Sequence, residues 1–150
     1  MARSLANILI NRYKDYEKKE ARVGWFPSSQ YPEEDGGEYV AMVAVTQEFG
    51  EPSKHIPPRP FLRPTIKAES KKWVGIVGKS IRQQMSGDDV LELVGLQMQG
   101  DFKEAIGEVT APPLAPLTIK LRQERGNFDT HPLNDTGYMI ATLINTVEDK

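Results

Sequence analysis

Apolar residues recur at intervals of three and four through much of the chain, and that spacing predicts mostly helix. Leu5, Ile8, Leu9, Tyr13 and Tyr16 form one such face over Ser4–Lys19. The pattern then switches. Ala21–Phe26 is rich in strand formers and sets Val23 and Trp25 on one side, predicting a short strand that Pro27 stops. Residues 27–38 hold proline, serine, glycine and acids with only Tyr31 to bury, which predicts an exposed loop whose acids, Glu33, Glu34 and Asp35, are solvated. Over Tyr39–Glu48, Val40, Val43, Ala44 and Gln47 fit helical spacing, although the valines would suit a strand. Gly50 decides for helix, as a C-terminal cap.

A long helix is expected from Pro64 to Met85, with Ile66, Trp73, Val77 and Ile81 on one side and lysines spread over the others, making a rod of roughly 30 Å. Gly75 and Gly78 lie inside it and cost about 1 kcal/mol each against alanine, so close approach of another helix is expected there. A second helix is expected over Asp88–Val109, carrying Leu91, Val94, Met98, Phe102, Ala105 and Val109, and the two read as an antiparallel hairpin. Residues 110–116 form a proline-rich connector. A short basic helix over Leu117–Arg125, a loop over 126–134, a last turn capped by Asp135 or Thr136 and a terminal strand over Leu143–Glu148 complete the reading.

Residues 50–63 break every period. Glu48–Thr65 contains five prolines and two arginines, so the segment has few conformations to lose and few backbone donors, and reads as a stiff arm.

Composition narrows the function classes. At 150 residues with 39% hydrophobic content one core is affordable and two independent domains are not expected. A net charge of −2 and a pI near 5.7 provide no global field for nucleic acid. The absence of cysteine removes disulfides, thiolate nucleophiles and thiolate metal ligands, and suits a reducing cytoplasm. No apolar run reaches the ~18 residues of a membrane span, and the N-terminal residues lack a sustained apolar core ahead of a cleavage site, so a cytosolic product without membrane contact is expected.

Four short motifs occur in a fixed order: Val23-Gly24; Val43-Ala44 with Glu48-Phe49-Gly50; Ile56-Pro-Pro-Arg-Pro-Phe-Leu62; and Pro132-Leu-Asn-Asp-Thr-Gly137. Together they resemble the tail-completion and virion-morphogenesis proteins of tailed bacteriophages, and the resemblance spans nearly the whole chain. It implies an α+β fold with the two strands paired in a small antiparallel sheet, several helices including the long pair packed against it, and the proline-rich arm extended. It implies a structural virion protein rather than an enzyme, with no catalytic, cofactor or metal residues. Such a protein assembles in the host cytoplasm into a ring, six-fold by resemblance, at the head-proximal end of the tail or in the neck. Its expected partners are further copies of itself, the tail tube protein and the neck or connector proteins, with DNA passing through untouched by tight binding. A rigid arm would hold the rotation between neighbours. Phe49, Ile56, Pro57, Pro58, Arg59, Pro60, Phe61, Leu62 and Arg63 are therefore the expected subunit contacts, with Phe61 packing on the next subunit.

Other readings of the residues lead elsewhere. Gly75-Ile-Val-Gly-Lys-Ser80 imitates the end of a phosphate-binding loop but lacks its first glycine and preceding strand. Asp135-Thr-Gly137 matches the triplet of aspartic peptidases, which would make a homodimeric peptidase built on Asp135, yet no strand leads into it and capping is the simpler role. His55 and His131 lack partners at helical metal-binding spacing. Finally, Ile56–Pro60 in polyproline conformation could dock in an aromatic groove, making the protein a soluble adaptor.

Overall fold

The computed structural model describes residue 14 and residues 16–150, without the side chain of Asp35. Most of the helix expected over Ser4–Lys19 lies outside the described residues, and Lys19 already belongs to a strand. Strands β1 (Lys19–Gly24) and β2 (Ile144–Asp149) pair antiparallel, with Lys19 opposite Asp149 and Gly24 opposite Ile144. β1 starts and stops two residues earlier than its alternation suggests, because the ladder runs only as far as β2 can pair. Trp25 falls just beyond it, where its indole N–H donates to the Met139 carbonyl at 2.8 Å.

Helix α1 (Val40–Phe49) ends as expected at Gly50, whose N–H donates to Thr46 O. Gly50 takes a φ of 76°, and a Cβ there would sit 2.8 Å from Pro58 N, so only glycine lets the following segment fold back this closely. The hairpin consists of α2 (Leu62–Arg82) and α3 (Gly87–Glu108). Lys72 meets Asp101 midway along it, while Pro64 and Thr65 line a groove with Glu108 and Val109 at one end, so the helices run antiparallel. Ser86 starts α3: its Oγ accepts from Asp89 N at 3.2 Å and donates to the Asp89 carboxylate at 2.6 Å. The fold is α+β, with the long pair packed against the two-stranded sheet.

α3 is the central element. One flank faces α2, where Trp73 and Phe102 meet edge to face at 5.6 Å, and the other lies on the sheet. A Cβ on Gly95 would come within 3.2 Å of the Asn145 side chain, so the close approach that glycine permits occurs here, between helix and strand. Gly75, where close helix packing was expected, has nothing within 4 Å, and Gly78 meets only the Arg82 guanidinium. The expected apolar face of α2 is narrower than its sequence pattern: Trp73 is buried, but Ile66 and Ile81 are about half exposed. α4 (Pro116–Glu124) and the short α5 (Tyr138–Ala141) complete the chain. The core joins Val40, Ala44, Phe61, Trp73, Val94, Phe102, Ile106, Leu133, Met139 and Leu143, with Val23 and Trp25 half-buried against it.

Candidate functional site

The proline-rich segment is no projecting arm. It turns back on α1 as a strap: Glu51 and Ile56 form an antiparallel bridge, and Arg59 N donates to Gln47 O at 2.6 Å. The strap then delivers the start of α2 to the Glu48 carboxylate. Glu48 is 0% exposed, and its Oε2 accepts from Phe61 N at 2.7 Å and Leu62 N at 2.8 Å. Its Oε1 accepts from Arg63 N at 3.2 Å and Arg63 Nε at 2.8 Å. A carboxylate from α1 thus caps the orphan N–H groups of α2, where the helix dipole favours negative charge. Burial pushes the Glu48 carboxyl up, but the Arg63 hydrogen bond and those from the Leu62, Phe61 and Arg63 backbone outweigh it, and the group sits below the usual carboxylate range.

This geometry corrects the expected contact surface. Phe61 is 2% exposed and meets Trp25 edge to face at 6.1 Å, so it belongs to the core of its own chain and cannot pack on a neighbour. Arg59 is also interior: its Nε donates to Pro112 O at 2.7 Å, its Nη1 to Gln47 Oε1 at 3.0 Å and its Nη2 to Pro113 O at 3.1 Å. Burial and the nearby Arg122 charge both push the Arg59 guanidinium down from its ordinary value. Ile56, Pro57 and Leu62 are half-buried, and the residues presented outward are Phe49, Pro58, Pro60 and Arg63. Phe49 is 58% exposed with the Arg63 guanidinium 4.5 Å above its ring, and Met42 and Val45 extend that apolar stripe along α1.

A second arginine organises the C-terminal motif. Arg122 on α4 is buried, and its Nη1 donates to the carbonyls of Asp129, His131 and Asn134 at 3.2, 2.9 and 3.1 Å. Arg122 Nε lies 3.3 Å from Asp135 Oδ1, close enough for an ion pair although its N–H is not aligned for a hydrogen bond. Arg125 Nη2 donates to Asp135 Oδ2 at 3.0 Å and Asn127 Nδ2 to Oδ1 at 2.8 Å. Asp135 therefore does not cap α5, contrary to one of the two expected roles. The cap position belongs to Gly137, at φ 74°, and Thr136 Oγ1 accepts a long 3.4 Å hydrogen bond from Tyr138 N. The groups holding Asp135 are two guanidinium ions and an amide, whereas a peptidase dyad sets a second carboxylate against the first.

Between the 31–38 loop and α1 on one side and the C-terminal motif on the other lies a cavity of about 380 Å³, lined by Gln47, Glu34, Glu38, Arg122, Asp135 and the paired rings of Tyr31 and Tyr138, whose centroids are 5.1 Å apart. Among the described residues no three His, Cys, Asp or Glu side chains cluster as a metal site. Gly75–Ser80 lies inside the unbroken helix α2 with Ser80 buried, so it forms no phosphate loop. Sequence reasoning passed over Glu48 as a capping group, Arg122, and Asp101, whose carboxylate accepts from Trp73 Nε1 at 2.6 Å, Lys72 Nζ at 2.8 Å and Gln97 Nε2 at 2.9 Å. The available signal at Glu48 was an acid placed on the apolar face of a helix, four residues on from Ala44 and eight from Val40. In comparisons with known proteins, the chain matches no family model, no curated protein and no solved structure at a significant level.

Proposed function

We propose that the protein is a structural component of tailed-phage virions that self-associates into a ring at the head-proximal end of the tail or in the neck, joining tail to capsid. The observation that carries the reading is the interlock of the motifs that resemble the tail-completion family. Glu48 of the second captures the backbone of Phe61 and Leu62 in the third. Arg59 of the third clamps the 112–113 connector, and Arg122 gathers the carbonyls of His131 and Asn134, just before and within the fourth. The residues that define the resemblance are thus spent on holding segments in register, which is what a building block of fixed shape requires. Asp135 sits in an ion-pair node with the same role.

Repeated head-to-tail contacts close into a ring only when the rotation between neighbours is constant, and that demands a rigid protomer. The test is the mass of the purified protein by sedimentation and its appearance in the electron microscope, alone and mixed with tail tubes. Ring particles that attach to one tube end are expected. A monomer that ignores tubes at every concentration would overturn the reading.

A further inference from the structure

The two helices of the hairpin turn opposite charges outward. At 100° per residue, Lys67, Lys71, Val74, Gly78, Ile81 and Arg82 fall within an arc of about 100° on α2, which Arg63, paired with Glu48, also enters. The arc has three further cations and no acid. None of the three is held in an ion pair or hydrogen bond among the described residues, and Val74 between them is 71% exposed. On α3, Asp89, Leu93, Leu96, Gly100, Glu104 and Gly107 share an arc of about 80°, with Glu108 and Lys103 on its flanks. Leu93 and Leu96 are exposed, and the face carries three carboxylates against one lysine.

Each face therefore has an apolar centre with charges of one prevailing sign around it, and the two signs are opposite. Glycines that the chain's own packing leaves unexplained lie in the α3 face and beside the α2 face: nothing is within 4 Å of where a Cβ would stand at Gly100 and Gly107, or at Gly75 about 20° past Arg82. A glycine inside a helix is unfavourable relative to alanine, and close approach of a second backbone is the compensation. Like faces would repel, so a symmetric contact of α2 with α2 or α3 with α3 is disfavoured, whereas α2 against α3 is complementary.

We propose that copies of this chain join head to tail, with the basic face of α2 in one copy seated on the acidic face of α3 in the next. The proposal rests on the reading above only in taking the protein to self-associate.

Two full-length variants test it. Lys67→Glu with Lys71→Glu and Arg82→Glu yields a copy acidic on both faces, and Glu104→Lys with Glu108→Lys a copy basic on both. In sedimentation velocity the wild-type protein should associate, and more weakly as salt is raised. Each variant alone should associate at least tenfold more weakly. An equimolar mixture should recover assembly, in particles with even numbers of copies, because each variant then finds an opposite face. A variant that assembles like the wild type, or a mixture that stays monomeric, overturns the proposal while leaving ring formation through another surface intact. A wild-type protein that is monomeric throughout overturns both. If a reversal variant melts below the assay temperature, Lys71→Ala/Arg82→Ala and Glu104→Gln/Glu108→Gln take its place, and unchanged association in either pair is the overturning result. A gel shift with duplex DNA checks the other occupant of a basic face. Tight binding lost in the α2 variant, with association unaltered, would assign that face to a polyanion and overturn the proposal.

Discussion

At the scale of single residues, Phe61 shows how burial reverses a functional expectation. An aromatic side chain at the end of a proline-rich segment reads as an anchor for a partner, but its ring fills the core beside Trp25. Phe61→Ala should therefore cost about 3–5 kcal/mol through lost transfer energy and a residual cavity. The measurement is chemical denaturation of the isolated chain at low concentration, where association plays no part. An unchanged midpoint would show that the ring is not in the core. Glu48 makes the same point with opposite polarity. On paper it is one more surface acid, yet its carboxylate is sealed in and meets four donors. Its spacing from Val40 and Ala44 turns it inward, but which donors it meets is not revealed until the segment 13 to 15 residues later is seen folding over it.

At the scale of elements, the long helices were legible and the loops between them were not. The apolar spacing of α2 and α3 is a local property, so their existence and type follow from the sequence, with ends displaced by one to three residues. α2 stops at Arg82 because Gln84 takes a left-handed φ of 62° in the turn toward Ser86, a choice made by the hairpin rather than by Gln84 itself. The loop around Asp135 is the harder case. Its form depends on Arg122, which reaches four carbonyls from the neighbouring helix. A capping role for Asp135 would leave Asp135→Asn almost neutral, because asparagine caps nearly as well. With two guanidinium groups facing the carboxylate, the Asn variant should instead lose about 1 kcal/mol, an effect that shrinks as salt is raised. Melting curves of the wild type and Asn variant at low and high salt check this, and identical curves at both would return Asp135 to a neutral role.

At the scale of the whole molecule, acid should loosen the assembly of elements before it melts any single helix. Burial opposes ionisation of Glu48 and Asp101, yet hydrogen bonds from Arg63 and backbone N–H groups at the first, and from Lys72, Trp73 and Gln97 at the second, leave both below their ordinary values. Asp129 is held down by the His131 backbone and side chain. A carboxyl with a depressed folded value contributes stability that is complete above its unfolded value, near pH 4 to 4.5, and is lost as pH falls through the folded one. The midpoint of urea unfolding should accordingly stay level from pH 7 to about 5 and fall below about pH 4.5. Glu48→Gln should lower the neutral midpoint and flatten the acid decline. A wild-type midpoint independent of pH down to 3 would mean that these carboxylates are not linked to folding.

The sequence by itself determined the alternation of helical and extended segments, the cap at Gly50 and the interruption made by the prolines, because each depends on dihedral preferences and on the spacing of apolar residues a few positions apart. Only the tertiary structure decided that the strap folds inward, that Glu48 caps a helix to which it does not belong, that Arg59 and Arg122 are interior, and that the glycine needed for close packing is Gly95 rather than Gly75 or Gly78. These turn on which segment arrives beside which. A charged or small residue carries no mark of its eventual neighbour, and its energy changes sign between water and a site already furnished with donors or with another backbone.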